Sequence, residues 1–504
     1  MAQWVGLIPA AGRGVRAHPY TQRLPKCLLE VDGVPLLQRN LELMRDELGI
    51  EEVVIVVGHE GDRIREFVGD GSAFGLRVRC IENDQLNRDL AWSLHLGFRE
   101  IDAPALVLLS DEFYLDCDHR RLREPPLADA FLTCGLVESD SSGQVRKNYS
   151  VDLDGDRVRA LIEKPREVHD RWMGVGSYLV SVEAMRALSA DFDGGRGPAD
   201  WTTWIHEQAE AGRDVRACRL GGHYVNVNDR EALNHANHVA RSQDFDRRRV
   251  SVVYLVEHAA ANVLDSIRSF AAAPGVDELL VAAREASPVW EAAQRLPKVR
   301  LFLHPRGFVP MGRLLKDALD DAAGDVLVTT WSDDTFSPRD LAKLLVYLQD
   351  ADLVVGTRTT RQMVEQGSNM RGSVRAAHIA LAKLMELLWW GFDARFSDVC
   401  CVYRAVWRST WLSIRDRLHC DDVEVFPEMV IEVLRARRRV IEIPVNYFNR
   451  DPEAPGVRSE HQKPGTFFRI LALMVRKRIR SAGAAPAPHP VGAAAQSRAA
   501  VGPR

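Results

Sequence analysis

The sequence lacks paired cysteine spacings, long apolar runs and an excess of positive charge. Its eight cysteines include no C-x-x-C pair, and only Cys400 and Cys401 are adjacent, so we expect neither a zinc site nor a disulfide framework. No stretch of about 18 uncharged apolar residues occurs, which predicts that no segment spans a membrane. The formal net charge of −4 argues against nucleic acid as a partner. A strand pattern follows the first residues directly, without a signal peptide, so we expect a cytoplasmic protein.

Length and strand patterning indicate two α/β domains, because 504 residues are too many for one core. Buried-strand runs alternate with helical patterns in two series, at 5–8, 53–57, 78–81, 105–109 and 131–137, then at 250–256, 278–281, 299–303, 326–330 and 353–355. The alternation predicts Rossmann-like domains with mostly parallel sheets and helices on both faces. A charged segment at 241–249 separates a domain of residues 1–243 from one of residues 249–482. We expect the Ala/Pro-rich tail over 483–504 to be disordered.

The most informative feature is the segment that follows the first strand. A loop of small residues begins where that strand ends, and it consists of Ala10, Ala11, Gly12, Arg13 and Gly14. Small residues let a backbone approach a polyphosphate closely, and their N–H groups bind phosphate oxygens. Arg16 and Lys26, the latter in a Pro-Lys pair, supply positive charge for the same oxygens. The alternative is an ordinary strand-to-loop turn with a solvated lysine.

This segment resembles the signature of sugar-1-phosphate nucleotidylyltransferases, which reads roughly G-x-G-x-R-x-x-P-x-T-x-x-x-P-K-x-L. The signature is matched without insertion or deletion at Gly12, Gly14, Arg16, Pro19, Thr21, Pro25, Lys26 and Leu28. The resemblance implies that a phosphorylated small molecule attacks a nucleoside triphosphate and releases pyrophosphate, with Mg²⁺ (or Mn²⁺) as cofactor. It also implies that the loop binds the nucleotide and that Arg16 and Lys26 neutralise the phosphates.

Three further positions extend the resemblance. Asp111 follows the apolar run at 105–109, at the strand end where ligands gather in α/β sheets, and it is implied to bind magnesium. A turn or helix-capping aspartate is the alternative. Lys164, in a Glu-Lys-Pro element, is implied to contact the substrate phosphate, and Gly174 and Gly176 are implied to lie against the sugar.

The resemblance weakens over residues 225–233. Family members carry an aspartate, the second metal ligand, where this chain has Asn226. A neutral amide coordinates magnesium less strongly than a carboxylate does. Asp229 is the candidate replacement; alternatively, the metal rests on Asp111 and the triphosphate alone.

Residues 82–94 bear on the choice of substrate. Hexose-1-phosphate enzymes of this family carry a Gly-Thr-Ala or Gly-Leu-Ala turn here, whereas this chain has an Asn-rich turn before a Ser-Leu helix. It resembles the branch that uses CTP with phosphocholine or inositol phosphate, which favours CTP as the nucleotide. Trp92 and Tyr114 are candidates to face an unusual acceptor, with core packing as the alternative for Trp92.

The second half resembles family 2 glycosyltransferases, the inverting group that includes dolichyl-phosphate mannose synthase. The resemblance rests on the segments 352–358, 397–404 and 441–445, and on Glu424 and Glu428 between them. It implies a GT-A fold for residues 249–482. Together the two halves imply a bifunctional enzyme that makes a nucleotide-activated compound and then transfers the activated group.

Elements that serve the nucleotide donor are altered in this half. Trp331 stands where the first aspartate of the Asp-x-Asp metal site is expected, although Asp333 follows as a candidate metal ligand or a helix cap. The Asn-Glu step after the first strand reads His258-Ala259, and the Asp-Asp pair after the second reads Ala282-Ala283. The alternative to glycosyl transfer is therefore a catalytically degenerate binding or scaffold domain.

Residues 466–479 form an apolar segment with a basic end. Such a segment is typical of a helix on a membrane surface, here near a lipid-linked or glycan acceptor at the inner face. The alternative is a helix that docks against its own domain.

Overall fold

The structure, a computed structural model, describes residues 4–14, 24–139, 141–167, 171–195, 197–198, 200–256, 263–332, 335–365, 368, 370, 372–390, 395–448 and 464–481. Among the described residues the chain divides into two compact units, an N-terminal unit that ends at Ala240 and a C-terminal unit that begins at Arg241. Arg16, Asp333 and His258 were predicted from the sequence and lie outside the described residues.

The described part of the N-terminal unit is an α/β structure. Its strands are β1 (Val5–Ala10), β2 (Glu30–Val31), β3 (Val34–Pro35), β4 (Glu52–Val57), β5 (Arg77–Glu82), β6 (Ala105–Leu108), β7 (Glu112–Leu115), β8 (Leu132–Glu138), β9 (Tyr149–Asp154), β10 (Arg157–Glu163), β11 (Trp172–Val180), β12 (Val215–Leu220) and β13 (His223–Asn226). Its helices are α1 (Leu36–Asp46), α2 (Gly61–Val68), α3 (Leu90–Phe98), α4 (Ser142–Val145), α5 (Val182–Asp193), α6 (Trp201–Glu210) and α7 (Arg230–Ser242), the last of which crosses the unit boundary.

Among these residues one nine-stranded sheet runs in the order β5-β4-β1-β6-β11-β8-β12-β10-β9. Strands β1, β4 and β6 are almost fully buried apolar runs, as expected of parallel strands with both faces covered. Successive side chains point to opposite faces, so Ile8 and Ile55 enter one core cluster while Leu7 and Val54 enter another.

The prediction of a mostly parallel sheet is wrong for this unit. Described pairings include four parallel ones, β4–β5, β1–β4, β1–β6 and β8–β12, against five antiparallel ones, β6–β11, β8–β11, β9–β11, β10–β12 and β9–β10. A two-residue connection at Gly155 and Asp156, with Gly155 at φ 65°, joins β9 to β10. So short a connection allows only antiparallel pairing.

The C-terminal unit carries a second α/β sheet. Its strands are β14 (Val250–Leu255), β15 (Glu278–Ala283), β16 (Val299–Leu303), β17 (Val326–Trp331), β18 (Leu353–Thr357), β19 (Arg404–Trp407) and β20 (Val440–Pro444). Its helices are α8 (Val263–Ala271), α9 (Pro288–Gln294), α10 (Met311–Asp321), α11 (Leu341–Leu348), α12 (Gly372–Leu388), α13 (Arg408–Ile414), α14 (Val425–Arg435) and α15 (Pro464–Ser481).

The seven described strands of this unit run in the order β16-β15-β14-β17-β19-β18-β20. Only β19 pairs antiparallel to its neighbours among them, so this sheet is mostly parallel, as predicted. No helix among the residues that the structure describes is long and apolar enough to cross a membrane.

Buried ion pairs tie the sheet of the C-terminal unit to its helices. The guanidinium of Arg358 donates to both carboxylate oxygens of Asp398, at 2.6 and 3.0 Å, and Nδ1 of His378 lies 3.1 Å from the same group. Burial opposes ionisation, but Arg358 and His378 outweigh it and hold the pKa of Asp398 well below its usual range. His378, Asp398 and Cys400 also bring potential metal-ligand atoms within 4.8 Å of one another. Arg358 supplies the positive charge that pairs with the Asp398 carboxylate, and burial raises the pKa of the Cys400 thiol to about 12.

We expect Asp398→Ala to destabilise the C-terminal unit by about 3–5 kcal/mol, because it leaves the Arg358 guanidinium buried without its partner. Hydrogen–deuterium exchange of peptides that contain β19 measures the free energy of opening. Asp416→Ala is the control, since the Asp416 side chain is 90% exposed, and it should change that free energy by less than about 0.5 kcal/mol. Equal effects of the two substitutions would contradict the structural role of the pair.

Candidate active site

Lys26 is the centre of the candidate site in the N-terminal unit. It begins a short 3₁₀ turn (Lys26–Leu28) directly after Pro25, and its side chain is only 12% exposed. The Nζ atom forms an ion pair with the carboxylate of Asp111 and donates to Oδ1 of Asn228 at 2.6 Å. Three segments that are distant in the sequence therefore meet at one ammonium group.

Asp111 lies where the sequence predicts, one turn beyond the end of β6. Strands β1 and β6 are parallel neighbours, so the end of β6 and the small-residue loop after β1 share one edge of the sheet. The backbone N–H of Val227 donates to the carbonyl of Asp111 at 2.9 Å, which fixes the segment after β13 beside it. This contact brings Asn226 and Asn228 to the same edge.

The small-residue loop leads from β1 toward a cavity. Ala10 and Ala11 are buried, Gly14 has a φ of 58°, and a Cβ atom on Gly12 would meet no heavy atom within 4 Å. Arg13 lines a cavity of about 400 Å³, the loop cavity, together with Asp84, Gln85, Leu86, Asn87 and Arg88. The Asn-rich turn that bears on substrate choice therefore faces the loop that is predicted to bind the nucleotide.

A second cavity has a volume of about 280 Å³, and Asn226 and Asn228 are among its lining residues. The residues of this amide cavity include Gln144, Lys147, Asn148, Tyr224, Asn226, Asn228, Asp229 and His235. Nδ2 of Asn226 donates to Oδ1 of Asn148 at 3.2 Å, whereas the buried Oδ1 of Asn226 has no hydrogen-bond partner among the described residues. The polar lining combines side-chain amides with a lysine, a histidine and two carboxylates, those of Asp229 and Glu231.

Asp229, the predicted replacement metal ligand, caps a helix. Its Oδ1 accepts a hydrogen bond from the backbone N–H of Ala232 at 2.9 Å, and α7 begins at the next residue. An N-terminal cap of this kind stabilises a helix by satisfying a free N–H group. The structure therefore gives Asp229 a structural role, and its role as a metal ligand stays a prediction.

Glu112 is a buried carboxyl that directly follows Asp111 in the sequence. No role was predicted for it from the sequence. It is 1% exposed and accepts hydrogen bonds from the hydroxyls of Tyr114 and Tyr224 and from the backbone N–H of Gly176. Burial, with a smaller contribution from Asp111, raises the pKa of Glu112 to about 7. An acidic residue at the start of the otherwise apolar strand β7 is the sequence signal for it.

The two glycines predicted to lie against the sugar are both accounted for by packing. A Cβ atom on Gly176 would come within 2.5 Å of the Glu112 carboxylate, and one on Gly174 would overlap the ring of Tyr149 at 1.9 Å. Both glycines lie inside the buried strand β11. Contact with a sugar stays a prediction.

Lys164 lies on the surface. Its side chain is 66% exposed and pairs with the neighbouring Glu163, and its backbone has a φ of 47°. The backbone N–H of Lys164 donates to the carbonyl of Asn148 at 2.7 Å. Asn148 lines the amide cavity, whereas Lys164 does not. Its contact with the substrate phosphate stays a prediction.

The two aromatic residues proposed to face an acceptor are engaged elsewhere. The ring of Trp92 packs 5.3 Å from that of Phe192, with the Arg88 guanidinium 4.1 Å above it. Tyr114 is buried and donates to Glu112. The structure therefore supports core packing, the alternative given for Trp92.

In the C-terminal unit the described positions among those expected to bind a nucleotide donor, Trp331, Ala282 and Ala283, are apolar and buried. Trp331 is 7% exposed at the end of β17, with its ring 6.4 Å from that of Phe426. Ala282 and Ala283 are buried at the end of β15. The carboxylates of the motifs are paired internally: Glu424 with Arg469, Glu428 with Lys477, Asp352 with Arg241 and Arg438, and Asp398 with Arg358.

Comparisons with known proteins identify the N-terminal domain. Residues 6–124 match the family described as MobA-like NTP transferase domain. Glucose-1-phosphate thymidylyltransferase of Streptomyces griseus is 32% identical over 242 residues, which are 45% of this chain and 64% of that protein. The bifunctional IPC transferase and DIPP synthase of Rubrobacter xylanophilus is 30% identical over 224 residues, 42% of this chain and 47% of the relative.

A solved structure of UDP-glucose pyrophosphorylase complexed with UDP-glucose is also similar, at 20% identity and a TM-score of 0.42, over 48% of this chain and 99% of that one. The chain spans less than two thirds of the length of the Streptomyces and Rubrobacter relatives.

The family match covers β1, the small-residue loop, Lys26 and Asp111. The N-terminal unit therefore contains a MobA-like nucleotidyltransferase domain.

The residues at this edge of the sheet fit a magnesium ion. Magnesium prefers oxygen ligands and is held in proteins through one or two carboxylates together with substrate phosphates. Asp111 offers a carboxylate, and Asn226, at the end of β13, offers a buried amide oxygen that no described residue contacts by a hydrogen bond. The ion pair with Lys26 orients the Asp111 carboxylate.

Glu112 should make the stability of the N-terminal unit depend on pH. Its pKa is raised from 4.5 to about 7, so the folded protein keeps a proton that the unfolded chain releases between these values. The stabilisation is complete below about pH 4.5, falls by about 3 kcal/mol as the pH rises to about 7, and is constant above that. Urea unfolding across this range measures it.

Glu112→Gln, which stays neutral, should remove most of that pH dependence. Glu138→Gln is the matched control, because the Glu138 side chain is 59% exposed, and it should leave the dependence as in the wild type. The same slope in the wild type and in Glu112→Gln would show that Glu112 does not carry the proton.

Proposed function

We propose that the N-terminal unit transfers a nucleotidyl group from a nucleoside triphosphate to the phosphate of a small phosphorylated molecule, a sugar 1-phosphate or a phosphorylated polyol. The observation that carries this proposal is the Lys26 ammonium, held by Asp111 and Asn228 at the sheet edge where the small-residue loop begins. The match of residues 6–124 to an NTP transferase domain supports it.

The reaction needs positioning and charge neutralisation more than covalent chemistry. An oxygen of the phosphate monoester attacks the α-phosphorus, the bond to the β-phosphate oxygen breaks, and pyrophosphate leaves. Lys26 would contact the phosphates with its ammonium, and Arg13 and Arg16 would add charge from the loop. Asp111 would hold the magnesium ion, which when bound neutralises phosphate charge. The N–H groups of the small-residue loop would orient the triphosphate.

Lys26 is held ready for this role by its two partners. In the structure the Asp111 carboxylate and the Asn228 amide both orient Nζ, so little side-chain entropy is lost when phosphate arrives. A magnesium ion bound by the Asp111 carboxylate would replace Lys26 as its partner. The Nζ atom of Lys26 would then be able to contact the phosphate oxygens. Asn228 would still orient it.

The amide cavity supports a polyhydroxylated acceptor. Its side-chain amides at Asn148, Asn226 and Asn228 can donate to and accept from hydroxyl groups. The lining also carries the cation of Lys147 and the carboxylates of Asp229 and Glu231. Recognition of a quaternary ammonium such as choline uses several aromatic faces. Tyr224 is the one Phe, Tyr or Trp among the described lining residues, which favours a sugar or polyol phosphate over phosphocholine. The CTP preference drawn from residues 82–94 stays a prediction.

Lys26→Ala should lower the rate of nucleotidyl transfer by on the order of 100-fold or more. The variant loses an ammonium group whose interaction with the phosphate oxygens is stronger in the transition state than in the bound substrate. The measurement is pyrophosphate release with nucleoside triphosphates and a panel of sugar and polyol phosphates. Arg159→Ala is the control, since that cation is 61% exposed and pairs with Asp154 away from the site. Wild-type rates in a folded Lys26→Ala protein would overturn the assignment.

For the C-terminal unit we propose a binding or scaffold role in place of glycosyl transfer. The burial of Trp331 at the strand end expected to carry the donor's metal ligand favours this role. An indole thus stands in place of the first aspartate of the expected metal site, and the candidate ligand Asp333 lies outside the described residues.

The full-length Lys26→Ala protein tests this role, because nucleotide binding at the N-terminal site is weakened in it. We expect no saturable binding of nucleotide sugars and no release of nucleoside diphosphate. Sugar transfer from any nucleotide sugar by this variant would restore the bifunctional hypothesis.

A further inference from the structure

Helix α15 carries two apolar faces, and within the part of the unit that the structure describes only one of them is packed against other elements. The covered face consists of Ile470, Leu473, Met474 and Lys477, all of them 3% exposed or less. It lies against α12 and α14. The alternative given by the sequence, a helix that docks against its domain, therefore describes this face correctly.

Lys477 fixes that docking with charge. Its Nζ donates to Glu432 at 2.6 Å, to the carbonyl of Arg417 at 2.9 Å, and lies 2.7 Å from Glu428. The lysine faces the interior, so the rotation of α15 about its axis is set. The residues on the opposite side must then face outward.

The outward side is a continuous apolar stripe. It consists of Phe468, Leu471, Ala472, Val475 and Ile479, which recur at helical spacings of three and four. Phe468 is 65% exposed, Val475 45% and Ile479 70%. Large apolar side chains in such a row are unusual on a surface that faces only water.

Arginines border this stripe on both sides. With 3.6 residues per turn, Arg476 lies about 80° to one side of the stripe and Arg478 about 80° to the other. Arg480 follows on the Arg476 side, as does Arg469, which is paired with Glu424. Arg476, Arg478 and Arg480 are exposed. The helix contains no acidic residue, although the whole chain has a formal net charge of −4.

We propose that this outer face of α15 binds the surface of an anionic lipid bilayer. An apolar stripe bordered by cations matches a membrane interface, where the stripe enters the boundary of the acyl chains and the guanidinium groups contact lipid phosphates. The helix would lie in the plane of the interface, with its inner face still docked on α12 and α14.

The charges speak against a second copy of this chain as the occupant. A two-fold pairing of α15 with itself would place arginines opposite arginines, because the helix offers no carboxylate to meet them. Anionic lipid supplies the missing negative charge. The inference is independent of the nucleotidyl transfer proposed for the N-terminal unit.

The test is co-sedimentation of the full-length protein with vesicles of phosphatidylcholine alone and of phosphatidylcholine mixed with phosphatidylglycerol. We expect binding to the mixed vesicles that weakens as salt is added, and little binding to phosphatidylcholine alone. Replacing Arg476, Arg478 and Arg480 together by glutamine should lower the partition coefficient by on the order of 100-fold, at about fivefold for each arginine.

Ile479→Asp should also abolish binding, while Val346→Asp, a matched change at an apolar residue of α11 that is 61% exposed, should leave it intact. Circular dichroism and pyrophosphate release in solution should be unchanged in every variant, since all of these positions are exposed and distant in sequence from the N-terminal site. Absence of binding to the mixed vesicles, or equal loss in Ile479→Asp and Val346→Asp, would overturn the proposal. So would a dimer in solution, seen by light scattering, that Ile479→Asp converts to a monomer.

Discussion

The candidate site depends on the position of one ammonium group. Lys26 comes from the turn after Pro25, Asp111 from the end of β6, and Asn228 from the segment after β13, and all three meet at Nζ. A charge so little exposed is stable only when it is paired, so these segments hold one another in register. The parallel pairing of β1 with β6 then places the small-residue loop at the same edge. The small-residue loop, the Lys26 ammonium and the Asp111 carboxylate thus lie at one edge of the sheet, as the proposed nucleotidyl transfer requires.

Much of this arrangement could be predicted from the sequence because it follows the strand pattern. Apolar runs located β1, β4, β5, β6 and β8 in the first sheet and β14 to β18 in the second. The rule that ligands gather at carboxyl ends of strands placed Asp111. The antiparallel part of the first sheet could not be predicted, since pairing partners depend on long-range packing. Asn228 and Glu112 were missed for the same reason: their importance comes from what they meet, Lys26 in one case and Gly176 in the other.

Several residues of the predicted motifs have structural roles that the sequence alone does not show. Asp229 caps α7, and Gly176 leaves room for the Glu112 carboxylate. In the C-terminal unit the paired carboxylates hold the sheet and helices together, while Trp331 occupies the strand end where donor binding was expected. In that unit, buried ion pairs and apolar packing therefore occupy positions where the sequence predicted donor binding. Helix α15 adds an exposed apolar face that arginines border.

The most direct test of a live N-terminal site is calorimetric binding of ATP, CTP, GTP, UTP and dTTP to the wild-type protein, with and without magnesium. It needs no knowledge of the phosphorylated acceptor. The arrangement of Lys26, Asp111 and the small-residue loop predicts that one nucleotide binds selectively and that binding weakens strongly when magnesium is removed. Failure of all five to bind in the presence of magnesium would contradict it, and would mean that Asn226, in place of a second carboxylate, has left the site unable to hold a metal–triphosphate complex.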